Sequence, residues 1–146
     1  MRKYALALSA IVCLLDQVTK RYVLAHRPDW SCWFLDVQIV YNKGLVFGCA
    51  PYVASQIYIV FLSILLLWVL LAIFQRRQSI WCWALCLGGG LGNLLDRVCY
   101  GYVIDFLRLH IGCFTFPWVF NIADISICFA AMLFMLNYWQ QRNSSC

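Results

Sequence analysis

From Tyr52 to Phe74 the chain carries no charged residue. A helix of about 20 residues crosses a bilayer, so this run is long enough to span one. A second apolar run extends from Ile80 to Leu95 and continues, with charges, towards Gly101. A third runs from Ile125 to Trp139 and is closed by Arg142. At the start, Arg2 and Lys3 precede an apolar stretch from Tyr4 to Leu15, and the pattern resumes after Asp16 as far as Leu24. Basic residues followed by an apolar run resemble a secretory signal, but no suitable small-residue cleavage site follows, so a retained first helix is expected. The pattern predicts four helices, at about 4–24, 52–74, 80–100 and 122–140. Between them lie two longer segments, 26–51 and 101–120. In the first of these, Asp36 and Gln38 alternate with Val37, Ile39 and Tyr41, the period of a short strand.

Composition places this pattern in a membrane. The chain is 64% hydrophobic and 12% charged, against about 25% charged in an ordinary soluble domain. The net charge of +5 therefore reports orientation rather than nucleic-acid binding. Arg2, Lys3, Arg76, Arg77 and Arg142 fall on one side of the four spans, which the positive-inside rule puts in the cytoplasm. The expectation is a single all-α integral membrane domain over residues 1–146, with a small extracytoplasmic β element, both termini cytoplasmic and segments 26–51 and 101–120 outside.

The absences narrow the chemistry. All six acidic residues are aspartates, so no site that needs glutamate is available. Two histidines, His26 and His110, are a thin basis for a metal centre, and no metal is expected. The nine cysteines form no CxxC pair. Cys82 and Cys86 read as small apolar filler, while the pairing of Cys32, Cys49 and Cys113 in the outer segments stays open.

A charge inside a bilayer costs at least about 2.5–3.5 kcal/mol, so it faces a partner or a cavity. Asp16 and Lys20 are four apart, on one helical face, in the favoured order of acid before base. In the third helix, Gly89, Asn93, Asp96 or Arg97, and Tyr100 recur at helical spacing and define a polar stripe near its outer end. Gly88, Gly89, Gly90 and Gly92 permit close helix packing. Asp105 follows the third helix and Asp124 opens the fourth, so the topology brings both to the same membrane face. Asn121 and Asp124 also have the spacing of an N-cap and its third residue, which is a structural role in itself. Two carboxylates held close share a proton, so that one acts as base towards water and the other as acid.

These residues resemble the lipoprotein signal peptidase (signal peptidase II) family. The likeness rests on four blocks in order: Asp16-Gln17-Val18-Thr19-Lys20; Asn42-Lys43-Gly44-Leu45-Val46-Phe47; Gly89-Gly90-Leu91-Gly92-Asn93-Leu94-Leu95-Asp96-Arg97 with Gly101 and Val103-Ile104-Asp105-Phe106; and Phe120-Asn121-Ile122-Ala123-Asp124. The resemblance implies an aspartyl endopeptidase of the bacterial inner membrane. Such an enzyme cleaves a prolipoprotein just before its diacylglyceryl-modified cysteine, at a site towards the outer face. It makes Asp105 and Asp124 the catalytic pair. Asn42, Gly44, Asn93, Arg97 and Asn121 become substrate-binding or pocket residues, and Asp16, Lys20 and Asp96 supporting ones. No cofactor is implied; the expected partners are the lipidated substrate and membrane lipid, and the expected state is a monomer. Val46 stands where the family usually has alanine. The alternative is a small transporter or channel subunit that uses Asp16, Lys20, Asp96 and Arg97 as an ion relay.

Overall fold

The computed structural model describes residues 1–44, 55–75 and 79–144. Val46, Phe47, Gly48, Cys49, Pro51, the first turn expected of the second helix, and Arg76 and Arg77 lie outside the described residues. Among the described residues there are four helices: α1 (Arg2–His26), α2 (Ser55–Phe74), α3 (Ile80–Tyr100) and α4 (Ile122–Ser144). Each runs within a few residues of its expected range. By length and apolarity alone, α2 over Gln56–Phe74 and α4 over Ile122–Asn143 qualify as membrane spans. The chains of α1 and α3 are interrupted by the costly polar residues, and it is these that the fold buries.

The third helix is the hub, and its glycines make it so. A Cβ on Gly88 would meet the Ser9 backbone of α1, one on Gly89 the Ala123 carbonyl and Ser126 hydroxyl of α4, and one on Gly90 the Leu66 side chain of α2. Three successive residues thus admit three different helices. Hydrogen bonds exploit the closeness: the Ser9 hydroxyl donates to the Ala84 carbonyl at 2.8 Å. Leu66, Val69 and Ile73 of α2 pack with Ala5, Ala84 and Leu87 in the apolar core.

Gly92 is tightly constrained as well, because a Cβ there would land on the buried Asp16 carboxylate. Gly92→Ala is expected to cost about 1–3 kcal/mol of overpacking and to lower the melting temperature in detergent. Gly90→Ala, which meets only the flexible end of Leu66, is expected to be milder. Equal effects in the two proteins would remove the special role of Gly92.

Described residues of the two segments between helices form one antiparallel sheet, in the order β1-β2-β3-β4, from β1 (Ser31–Cys32), β2 (Leu35–Asn42), β3 (Val103–Ile111) and β4 (Phe114–Phe120). The period-two pattern marks β2 but not its partners. In β3 the alternation is confined to the outer half, with Leu107, Leu109 and Ile111 on one face and Arg108 and His110 on the other. The hairpin to β4 is tight, since Ile111 pairs with Phe114 and Gly112 takes a positive φ of 59°. Arg108 bridges Gln38 at 2.6 Å and Asp36 at 3.1 Å, as expected of two β2 residues on one face. Ser31, Arg108 and His110 around Asp36 hold its carboxyl below the usual range, the Ser31 hydrogen bond contributing most. Cys32 and Cys113 are free thiols.

Candidate active site

Strand β3 enters the protein directly from α3. Gly101, at φ 79°, ends the helix, and its N–H caps the Arg97 carbonyl. Two residues later the strand begins, and Val103 to Phe106 are all buried. This places Asp105, 2% exposed, in the buried first half of β3, where the strand meets the helices. In the β2–β3 ladder Asn42 pairs with Val103 and Val40 with Asp105, so Asn42 and Asp105 share a face as diagonal neighbours. The Asn42 Nδ2 accordingly donates to Asp105 Oδ2 at 3.0 Å.

Helix α4 opens with a reciprocal capping box. The Asp124 N–H donates to Asn121 Oδ1 at 2.9 Å, and the Asn121 N–H donates to Asp124 Oδ2 at 3.2 Å. The capping role anticipated for this pair is therefore present, and it coexists with a second one. The free end of the Asn121 amide turns to the other acid, donating to Asp105 Oδ1 at 2.6 Å. A single residue thus touches both candidate carboxyls. Asn93 supplies the remaining contact, its Nδ2 lying 2.9 Å from Asp124 Oδ1. All four carboxylate oxygens accept from an amide: Asn42 and Asn121 hold Asp105, while Asn93 and the Asn121 backbone hold Asp124. Burial pushes the Asp105 carboxyl up to about 7, and the nearby Asp124 charge pushes the same way, against the donors Asn42 and Asn121.

The pair sits on the wall of a cleft of about 270 Å³. One side is polar, with Asn42, Asn93 and Arg97 beside the two aspartates. The other is apolar, formed by Tyr58, Phe61 and Leu65 of α2 and Ile127 and Cys128 of α4. Arg97 is 9% exposed. Its guanidinium donates to the Gly44 carbonyl at 2.8 Å and to the Asn93 carbonyl at 3.4 Å, and lies over the Tyr58 ring at 5.8 Å. Gly44 thereby joins the site through its backbone, and its N–H returns to Asn42 Oδ1 at 2.9 Å.

Behind the pair lies a buried ionic cluster. The Lys20 Nζ is 2.7 Å from Asp16 Oδ2 and 2.8 Å from Asp96 Oδ2, and it donates to Asn93 Oδ1 at 3.0 Å. Every proton of the ammonium has an acceptor, a closed arrangement unlike the relay of the transporter alternative.

The structure therefore assembles Asp16, Lys20, Asn42, Gly44, Asn93, Asp96, Arg97, Asp105, Asn121 and Asp124 in one connected network. Tyr100 departs from the expected stripe: it is 45% exposed and stacks on Tyr102. Two contributors carry no individual signal in the sequence pattern. Gln17 donates to Asp96 Oδ1 at 2.8 Å and to the Gly92 carbonyl at 3.1 Å. Tyr58, 4% exposed, is hidden in an uncharged span where only its polar tip marks it.

Known proteins resemble this chain in sequence and in fold. Residues 8–140 match the family described as signal peptidase (SPase) II. The lipoprotein signal peptidase of Janthinobacterium sp. (strain Marseille) is 39% identical over 140 residues, covering 89% of this chain and 84% of that protein. The lipoprotein signal peptidase of Thermodesulfovibrio yellowstonii is 33% identical over 129 residues, covering 86% and 87%. A bacterial membrane enzyme solved by the in meso method is similar in structure with a TM-score of 0.86 and 25% identity, over 99% of this chain and 92% of that one. Likeness in sequence and fold along nearly the whole length places this chain in the signal peptidase II family of proteases.

Proposed function

We propose that the protein is a membrane aspartyl endopeptidase that removes the signal peptide from diacylglyceryl-modified prolipoproteins, cutting just before the lipidated cysteine. The observation that carries the catalytic reading is the amide cradle in which Asn121 touches both Asp105 and Asp124 at the edge of a half-apolar cleft. One aspartate, ionised, takes a proton from water as it attacks the scissile carbonyl. The other, protonated, donates to the carbonyl oxygen. Collapse of the tetrahedral species breaks the C–N bond, the proton passes to the leaving amine, and the shared-proton state is restored. This chemistry needs no metal or organic cofactor. The apolar wall of Phe61, Leu65 and Ile127 suits a lipid-borne substrate.

The same reading makes the chain one integral membrane domain with four spans, both termini cytoplasmic and the sheet on the outer face. The buried polar clusters explain how α1 and α3 cross despite their charges. The site then opens towards the outer side of the bacterial cytoplasmic membrane, in a monomer surrounded by lipid. The test is cleavage by purified protein in detergent of a prolipoprotein with and without diacylglycerol on its cysteine. Loss of the signal peptide only from the lipidated form is expected. Equal cleavage of both forms would refute the substrate assignment, and no cleavage of either by folded protein would refute the activity.

Arg97→Lys is expected to lower kcat/KM by about 10–100-fold although the charge survives. Lysine lacks the planar fork that holds Gly44 and Asn93 at once and stacks on Tyr58. An unchanged kcat/KM would reduce Arg97 to a point charge.

A further inference from the structure

The buried cluster around Lys20 is expensive. Removing three charges from water costs several kcal/mol per ion, and mutual attraction offsets this only when the geometry is good. Its outward connections show where that geometry is directed. Asp16 Oδ1 accepts the backbone N–H of Ala123 at 2.9 Å, one residue before Asp124. Asp96 Oδ2 accepts the backbone N–H of Ile104 at 3.0 Å, one residue before Asp105. Each carboxylate thus holds the chain immediately ahead of one candidate acid, and Lys20 holds the two carboxylates together.

Its third contact is directional. An ammonium group only donates, so the Asn93 side chain must present its oxygen to Lys20. The NH2 end is then left facing Asp124 Oδ1. An amide reversed at this position would set an oxygen against a carboxylate.

We propose that Lys20 is a positioning residue for peptide cleavage, which fixes β3 against α4 through Asp96 and Asp16 and turns the Asn93 amide so that it donates to Asp124. The inference rests on the reading of Asp105 and Asp124 as the reacting pair. Lys20 touches neither substrate nor reacting atoms; it acts through its three partners.

The charged groups that face the pair come from several elements. Asp16 and Lys20 approach from α1, and Asp96 and Arg97 from α3. Tyr58 of α2 lies beside Arg97. Loss of Lys20 alone therefore changes both the field and the geometry. Asp16→Asn with Lys20→Met separates them. It removes one charge of each sign, so the local net charge is unchanged, and the asparagine keeps an oxygen for the Ala123 N–H.

Four proteins test the proposal against the unmutated enzyme on lipidated prolipoprotein: Lys20→Met, Asp16→Asn/Lys20→Met, Asn93→Ala and Asp16→Asn/Lys20→Met/Asn93→Ala. Both proteins that carry Lys20→Met with Asn93 intact are expected to lose about 100-fold in kcat, the scale of an ångström-level misplacement, with KM within about threefold. The acid limb of kcat/KM against pH is expected to move up by about one unit, because a donor to the charged pair is lost. Asn93→Ala should move the limb as far as the charge-neutral Asp16→Asn/Lys20→Met does, and combining all three substitutions should move it no further. Partial misfolding lowers the amplitude of the profile and leaves its limbs in place. Unmoved limbs, or wild-type kcat in Asp16→Asn/Lys20→Met, would overturn the proposal. So would failure of every Lys20 variant to fold, which would make Lys20 a folding residue only. Asp105→Asn, assayed alongside, keeps the two readings apart: full activity there refutes the reacting pair whatever the Lys20 proteins do.

Discussion

Asp105→Asn and Asp124→Asn are each expected to cut lipidated prolipoprotein at least about 10³-fold more slowly than the unmutated protein, while still inserting and binding substrate. The magnitude follows from the division of labour. General acid–base catalysis by a positioned group contributes about 10²–10⁴-fold, and two groups that share a proton act as a unit, so losing either removes most of the effect of both. Asparagine keeps the size of the side chain and one acceptor oxygen, but it neither gives nor takes the proton. Its NH2 end also meets a donor in either orientation, since Asn42 and Asn121 both donate to Asp105, and Asn93 and the Asn121 backbone both donate to Asp124. Some rearrangement of the cradle therefore accompanies the chemical loss. Single-turnover cleavage measured with substrate-binding in the same preparations separates the two. Retention of more than about a tenth of the wild-type rate in either protein would exclude that residue from the chemistry.

Much of this site is legible in the sequence because its residues are costly where they stand. In an uncharged neighbourhood, Asp16, Lys20, Asp96 and Arg97 have to face inward, and helical spacing says which of them share a face. The capping spacing of Asn121 and Asp124 is legible for the same local reason. What is not legible depends on contacts distant in sequence. Asp16 reaching the Ala123 N–H spans most of the chain, and no periodicity encodes it. The β3–β4 hairpin escapes the pattern because Val103 to Phe106 are buried on both faces, which erases the alternation at the start of the strand. Tyr100 leaves the expected stripe because it lies at the last turn of α3, where the chain bends at Gly101 and the stripe no longer faces the bundle. Tyr58 shows the converse: a buried aromatic under a guanidinium looks in sequence like any other apolar residue of α2.

The pH dependence of the enzyme should carry the signature of the pair. In the proposed mechanism only the singly protonated pair is competent, so kcat/KM is expected to be bell-shaped, with limbs that belong to the pair jointly. Asp105 is pushed up to about 7 by burial and then by Asp124, which puts the upper limb near neutrality. Above it, activity should fall about tenfold per pH unit as the last shared proton is lost. The same shift reaches stability with a definite sign. A carboxyl whose folded value lies above its ordinary 3.8 favours the fold while protonated. That contribution is complete below the ordinary value and is lost as pH rises through the folded one. From about pH 4 to about pH 7, the unmutated protein should therefore become less resistant to heat through this group. Asp105→Asn has no proton to lose there and should show a flatter melting profile across the same interval. Thermal unfolding of the inactive protein thus tests the environment of Asp105 without any cleavage assay. Parallel profiles for the two proteins would mean that Asp105 ionises as an ordinary aspartate, and the acid of the mechanism would have to be sought elsewhere.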